Sequence, residues 1–303
     1  MIVRPKESWL RLLFVWNGSV LPTIAPQLIF MAVVSSLAVV SHGRVLGEKI
    51  PLNTALLTPF GLTLAIFLGF RNNASYQRFC EARQLWGHLL IASRSLVSQI
   101  QHYLSDEGES AALADLAVAA VYALKHELRG TDPDADFRRL LGADAAQALR
   151  GKQHQATVLL DQLRARLVTH ANEGRISDAR LWTLDAQLSE LGKAVGGCER
   201  IASTPIPFAY GVLLHRTVYT YCMLLPFGLV DSTELFTPLL CVFMAYTLIA
   251  LEAVANEVSE PFGLAPNALA LDAMARTIER SVCELGGREL PPPMAPDAAY
   301  RLT

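Results

Sequence analysis

Charged residues are scarce in two stretches of this 303-residue chain, about Leu12–Phe70 and Ile201–Leu251, and have ordinary density between them. The chain as a whole is 52% hydrophobic and 18% charged, with mean hydropathy +0.30. An average soluble domain carries about 25% charged residues. One large soluble core would spread the deficit evenly, so two separated blocks predict membrane segments on either side of a soluble one. The net charge of -2 supplies no general basic field, and nucleic acid is not an expected partner.

A bilayer core needs about 20 apolar residues in helical form. Four passages meet or approach that length: Leu21–Ser41, about Pro51–Phe70, about Pro207–Val230 and about Leu235–Leu251. Pro22 and Pro26 lie near the start of the first, where a helix tolerates proline best. Pro59 is expected to kink the second. His215-Arg216 interrupts the third and is expected to break it, and each half alone would fit a buried helix of a soluble protein. The fourth lies between Glu234 and Glu252 and is at the short limit. The opening Met1–Trp9 lacks the compact apolar core and small-residue cleavage site of a signal peptide, so the first block is expected to be retained.

Basic residues near passage ends set orientation. Arg4, Lys6 and Arg11 precede the first passage, and Arg71, Arg78 and Arg83 follow the second. The link between the third and fourth carries Asp231 and Glu234 without a base. The loop Ser41–Lys49, with Arg44, Glu48 and Lys49, gives no clear signal. Both termini and the long middle stretch are therefore expected in the cytoplasm. The expected divisions are 1–71 with passages one and two, 72–200 as a cytoplasmic helical domain, 201–256 with passages three and four, and 257–303 as a cytoplasmic helix and extended tail. The fold class is all-α.

In the middle stretch, Glu109–Leu128 reads as a helix stopped by Arg129-Gly130, and Thr131–Asp134 as a turn cluster. A second helix is expected over about Gln153–Ala171. Ser177 can N-cap a third, along which Leu181, Leu184, Leu188, Leu191 and Val195 form a narrow heptad seam. That seam suits either an intrachain bundle or a subunit interface. A last helix is expected near Leu271–Leu285. Pro291-Pro292-Pro293 cannot be helical, leaving the tail disordered or strapped across a neighbour.

No motif for a reaction is present: no H-E-x-x-H, Walker loop, G-x-S-x-G elbow or dinucleotide fingerprint. The seven histidines form no metal-spaced pair, so no metal and no cofactor is expected. The five cysteines (Cys80, Cys198, Cys222, Cys241, Cys283) form no C-x-x-C pair and read as packing residues or inert thiols.

The second passage carries the sharpest pattern. Leu62, Ile66 and Phe70 recur every four residues as one bulky stripe, beside a small stripe of Gly61, Ala65 and Gly69. Small residues let membrane helices approach closely. A ring of bulky apolar faces makes a constriction that gates by dewetting. From spacing alone, lipid contact or core packing explains the stripe better than a pore face does.

Phe67–Phe79 (FLGFRNNASYQRF), Glu81–Gly87 (EARQLWG), Gly196–Ile201 with Thr204–Tyr210, Leu214–Tyr219 and Glu260–Gly263 (EPFG) together resemble the bestrophin family in its bacterial branch. The match runs nearly end to end. The resemblance implies a homopentameric channel in the bacterial inner membrane, with one axial pore for monovalent ions. Leu62, Ile66 and Phe70 match the apolar rings of its neck. A second, cytoplasmic aperture falls at the start of a late helix, matching Ala179. Eukaryotic bestrophins are calcium-activated chloride channels whose calcium clasp uses an acidic run after Pro-Phe-Gly. Here that run, Leu264–Asp272, has Asp272 as its one carboxylate, and calcium-independent conduction is expected. Bacterial members favour cations such as sodium, which is the implied selectivity. Asp231 and Glu234 would then form an acidic outer mouth or be solvated loop residues, whereas Arg71 would favour anions if it faced the pore. A chloride channel and a secondary transporter remain the alternatives, along with a membrane protein that carries no flux.

Overall fold

A computed structural model describes every residue except Lys6, Leu46, Gly47, Ile50, Pro51 and Asn53, and of Thr54 it describes the backbone alone. The expected start of the second passage at Pro51, and Lys6 in the first basic flank, lie outside the described residues. The chain is helical almost throughout. Its helices are α1 (Trp9–Leu12), α2 (Leu21–Val40), α3 (Thr54–Tyr103), α4 (Glu107–Arg129), α5 (Asp134–Leu141), α6 (Ala143–Leu149), α7 (Gln155–Asn172), α8 (Asp178–Ser203), α9 (Phe208–Thr233), α10 (Thr237–Ser259) and α11 (Leu271–Leu285). Strands β1 (Arg44–Val45) and β2 (Glu48–Lys49) pair antiparallel, Arg44 opposite Lys49.

Two compact units divide the chain. An apolar unit comprises Pro5–Phe79 and Pro205–Glu260, and a polar unit comprises Met1–Arg4, Cys80–Thr204 and Pro261–Thr303. The division falls inside α3, which continues without interruption past Pro59 and past residue 71.

Among the described residues, three helical runs are long and apolar enough to cross a membrane: Leu21–Val40, Ala55–Tyr103, whose first part lies in the apolar unit, and Phe208–Ser259. The third run turns at a 3-10 segment, Glu234–Phe236, where Glu234 adopts φ 43, and becomes α9 and α10. Val218 and Cys222 of α9 share a core with Ala245 and Ile249 of α10, Met31 of α2 and Leu64 of α3. Several hydroxyls inside these helices are satisfied locally; Ser35 Oγ, for example, donates to Met31 O at 2.7 Å. The expected break at His215-Arg216 does not occur. Helix α9 runs through both residues, because His215 Nδ1 finds Glu252 Oε1 on α10 at 3.1 Å, and a partnered polar group is tolerated within a spanning helix. Glu252 does not end its helix; it is buried within α10, which runs on to Ser259.

The polar unit is built on α4, which Asp106 caps by accepting from Glu109 N at 3.0 Å. Gly130 ends it in the left-handed conformation, φ 61, which glycine adopts at little cost. Leu113, Ala117, Val121 and Leu124 of α4 are buried, and the helix packs against α5, α7, α8 and α11. Leu184, Leu188, Leu191 and Val195 are also buried within the chain, so the heptad seam closes an intrachain bundle. Ser177 sits at the α8 N-cap in extended conformation but makes no side-chain capping bond. Helices α5 and α6 follow the Thr131–Asp134 turn, in a stretch to which no separate helix was assigned. At eight and seven residues they are too short to show a clear hydrophobic period.

The tail runs without helix through Pro291-Pro292-Pro293 to Thr303. It pairs with the chain's own N-terminus: Leu302 N donates to Met1 O at 2.8 Å and Val3 N to Tyr300 O at 2.9 Å, while Arg4 lies over the Tyr300 ring at 4.6 Å.

Candidate pore-lining site

The packed and open faces of α3 follow from the helical repeat. Leu57, Leu64 and Leu68 are buried in the apolar unit, and Gly61 presses against the Tyr221 ring of α9, whose Oη lies 2.8 Å from where a Cβ would stand. At about 100° per residue these four positions fall in one narrow arc, and Leu62, Ile66 and Phe70 centre roughly 180° away. Accordingly Leu62, Ile66 and Phe70 are 65%, 50% and 67% exposed within the chain. The two flanks differ. One carries Phe60, Thr63 and Phe67, which with Leu213 and Thr217 of α9 line an apolar groove. The other carries Ala65 and Gly69, and a Cβ at Gly69 would meet nothing within 4 Å.

Directly after Phe70, Arg71 turns inward. Its side chain is 9% exposed, with Nη1 3.8 Å from Glu252 Oε1 and Nη2 donating to Asn256 Oδ1. It therefore offers no open guanidinium beside the bulky stripe, which was the condition for it to favour anions. Further along α3, Arg78 Nε donates to Ser259 O at 2.7 Å, so α3 and α10 run parallel and in register. Sequence reasoning treated Glu252 as a boundary. The signal it missed was a carboxylate at the end of an apolar run with a buried arginine and a histidine available in other passages.

At the opposite end of the unit, Asp231 is a last-turn residue of α9 rather than a loop residue, and it pairs with Lys49 Nζ at 2.9 Å. This pair puts the β1–β2 hairpin and the α9–α10 turn at one end. Glu234 opens that turn and is exposed. Ala179 is the second residue of α8 and is exposed.

In the polar unit, Asp272 lies in the first turn of α11 and is already taken by cationic side chains. Lys125 Nζ lies 3.0 Å from Oδ1, and Arg129 donates to Oδ2. Around them Asp136 binds Lys125, His126 and Arg139, while Glu279 accepts from Tyr122 Oη at 2.6 Å and from Arg139. Burial works against ionising Asp136, yet the bonds from His126 and Arg139 hold its carboxyl well below the usual range. The Asp272 carboxyl is lowered in the same way by Lys125 and Arg129, again against burial. All five cysteines are free thiols. Burial, helped by Glu199 and Glu81, pushes the Cys198 thiol up to about 12, the state of an unreactive packing group.

Residues 1–284 match the family model described as bacterial/fungal bestrophin protein. A voltage-dependent anion channel-forming protein of Ralstonia nicotianae is 41% identical over 99% of this chain and 98% of its own length. The protein of the same description from Escherichia coli K12 is 39% identical, with both chains fully covered. Among solved structures, a bacterial bestrophin homolog from Klebsiella pneumoniae superposes with TM-score 0.84 at 40% identity, covering 88% of this chain and 99% of that one.

Proposed function

Since this chain belongs to the bacterial and fungal bestrophin family and is an ion channel rather than an enzyme, we propose that five copies surround one axial pore whose neck is formed by Leu62, Ile66 and Phe70. The observation that carries this reading is the geometry of α3. Its bulky apolar stripe is exposed opposite the face that packs within the chain. Five such stripes facing one axis would make a constriction that gates by dewetting. The unlike flanks of α3 support a head-to-tail ring, with Phe60 and Phe67 of one copy set against Ala65 and Gly69 of the next.

In this reading α2, the first part of α3, α9 and α10 span the inner membrane, and the polar unit and both termini lie in the cytoplasm. That orientation follows the stronger basic flanks, Arg4, Arg11, Arg71, Arg78 and Arg83, and leaves the Ser41–Lys49 loop, with Arg44 and Lys49, on the other side. The aperture at the start of α8 is assigned to Ala179, whose small side chain leaves it wide.

Conduction is passive, calcium-independent and selective for monovalent cations such as sodium. Calcium requires several oxygen ligands, and Asp272, the one carboxylate of the relevant run, is occupied by Lys125 and Arg129. Calcium chelation is expected to leave the current unchanged. Cation preference is supported by the withdrawal of Arg71 from the open face and by Glu234, exposed at the α9–α10 turn and proposed for the outer mouth, where Asp231 is already paired with Lys49. The names of the relatives as anion channel-forming proteins favour the opposite sign as a second reading. Planar-bilayer recording of the purified protein decides. Under a tenfold NaCl gradient, an ideal cation channel reverses at about 59 mV with one sign and an ideal anion channel at the same magnitude with the other. Slow, saturable flux without discrete current steps would overturn the channel mechanism in favour of a transporter.

A further inference from the structure

Most partly buried carboxylates in the polar unit are met by a lysine or arginine. Asp136, Asp272 and Glu279 have theirs, and so do Asp115 with Arg288 and Asp185 with Arg164. Glu127 and Glu199 break this pattern. They converge from the last turn of α4 and the C-terminal part of α8, and among the described residues neither pairs with a lysine or arginine. The one basic group between them is His154, the N-cap residue of α7, whose Nδ1 lies 3.5 Å from Glu199 Oε1. One ligand atom from each of the three residues lies within 4.8 Å of the others.

Two features show that the cluster is incomplete as it stands. Glu199 Oε1 is shielded from solvent and accepts no hydrogen bond, a cost that native proteins seldom leave uncompensated. The half-buried Glu127 accepts from Ala156 N at 2.8 Å. Two carboxylates thus face one another across a neutral or singly charged imidazole, and a divalent cation would balance the charge.

We propose that Glu127, His154 and Glu199 form a binding site for a first-row divalent cation of the zinc class. One imidazole nitrogen and two carboxylate oxygens suit zinc. Magnesium and calcium favour all-oxygen surroundings, with six or more ligands for calcium. Three protein ligands, with the exposed His154 on the solvent side, leave positions for water and make the ion exchangeable. Bound there, it ties the end of α4 to the start of α7 and to α8. These residues are far apart in sequence, which is why no histidine spacing announces the site.

The test uses the full-length channel in detergent, stripped with EDTA and titrated with zinc chloride while heat of binding and melting midpoint are followed. The expected result is one zinc bound per chain and a raised midpoint, with no comparable response to magnesium or calcium chloride. Losing a ligand costs at least as much as losing an outer-shell partner, so Glu199→Gln and His154→Ala should each weaken zinc binding by about 10- to 100-fold or more. Glu127 is left in place because it caps α7. The metal-free midpoints and elution volumes of both variants should match the parent, which separates lost binding from lost folding. Absence of zinc binding to the parent, or equal binding by the parent and two correctly folded variants, would overturn the site. An equal response to magnesium would overturn the metal class.

Discussion

Arg71 and Glu252 lie one residue past the bulky stripe and hold α3 against α10, so the energetics of their pair are open to direct measurement. Their side chains are 9% and 7% exposed, with 3.8 Å between Nη1 and Oε1. At an effective dielectric of about 20, that separation is worth about 4 kcal/mol of attraction. Desolvating the two ions costs several kcal/mol, so the intact pair adds little net stability. Removing one partner is different, because the other charge stays buried, at about 3–5 kcal/mol for an unrelieved ion. Relief is partial here, since Asn256 still accepts from Arg71 and His215 still meets Glu252. Glu252→Gln is therefore expected to cost about 3 kcal/mol and Arg71→Met about 2 kcal/mol, at or below the lower edge of that range. The double variant buries no unpaired charge and should also cost about 2 kcal/mol, a coupling of about 3 kcal/mol. Thermal melting of the purified protein in detergent, read by loss of the folded peak in size exclusion, measures this. Each kcal/mol moves the midpoint by about 2–4 °C in a chain of this size class. If the double variant loses the sum of the two single shifts, the residues are not coupled and the anchoring argument fails.

Replacing Leu62, Ile66 and Phe70 together by Ala should raise open probability in bilayer recording, and unchanged currents would remove the gate from this face of α3. A side chain at Gly228 would collide with Leu57. Gly228→Ala should then cost about 1–3 kcal/mol through overpacking, and adding Leu57→Ala should recover part of the lost melting temperature. Acid should loosen the polar unit through Asp136 and Asp272. Their folded carboxyls titrate below the ordinary 3.8, so their stabilisation is complete above that value and is lost as pH falls beneath it. The melting midpoint followed from pH 6 to pH 3 should show that loss, and Asp136→Asn should make the curve flatter over the same window.

Much of the architecture depends on properties that act within a few residues. The uncharged runs mark α2, the first part of α3, α9 and α10. The bounds Leu271–Leu285 of α11 and the stop at Gly130 follow from periodicity and turn chemistry. The identity of the bulky stripe on α3 is likewise local, because side chains four residues apart share a helix face wherever the helix is placed. Helices α5 and α6 escaped because seven or eight residues give too little period. The His215-Arg216 break was misplaced because a polar pair in an apolar run looks costly until its partner is known.

The amino-acid sequence alone therefore determined that the chain is helical, that its apolar segments suit a bilayer, and which residues share each face of α3. Only the tertiary structure decided which face is packed, that Arg71 is turned inward against Glu252 and Asn256, that Asp231 is neutralised by Lys49, and that the tail pairs with its own N-terminus. It alone brings Glu127, His154 and Glu199 together. The physical reason is range. Helical periodicity relates residues three or four positions apart, whereas each of these contacts joins residues that local spacing leaves unrelated and only packing makes neighbours.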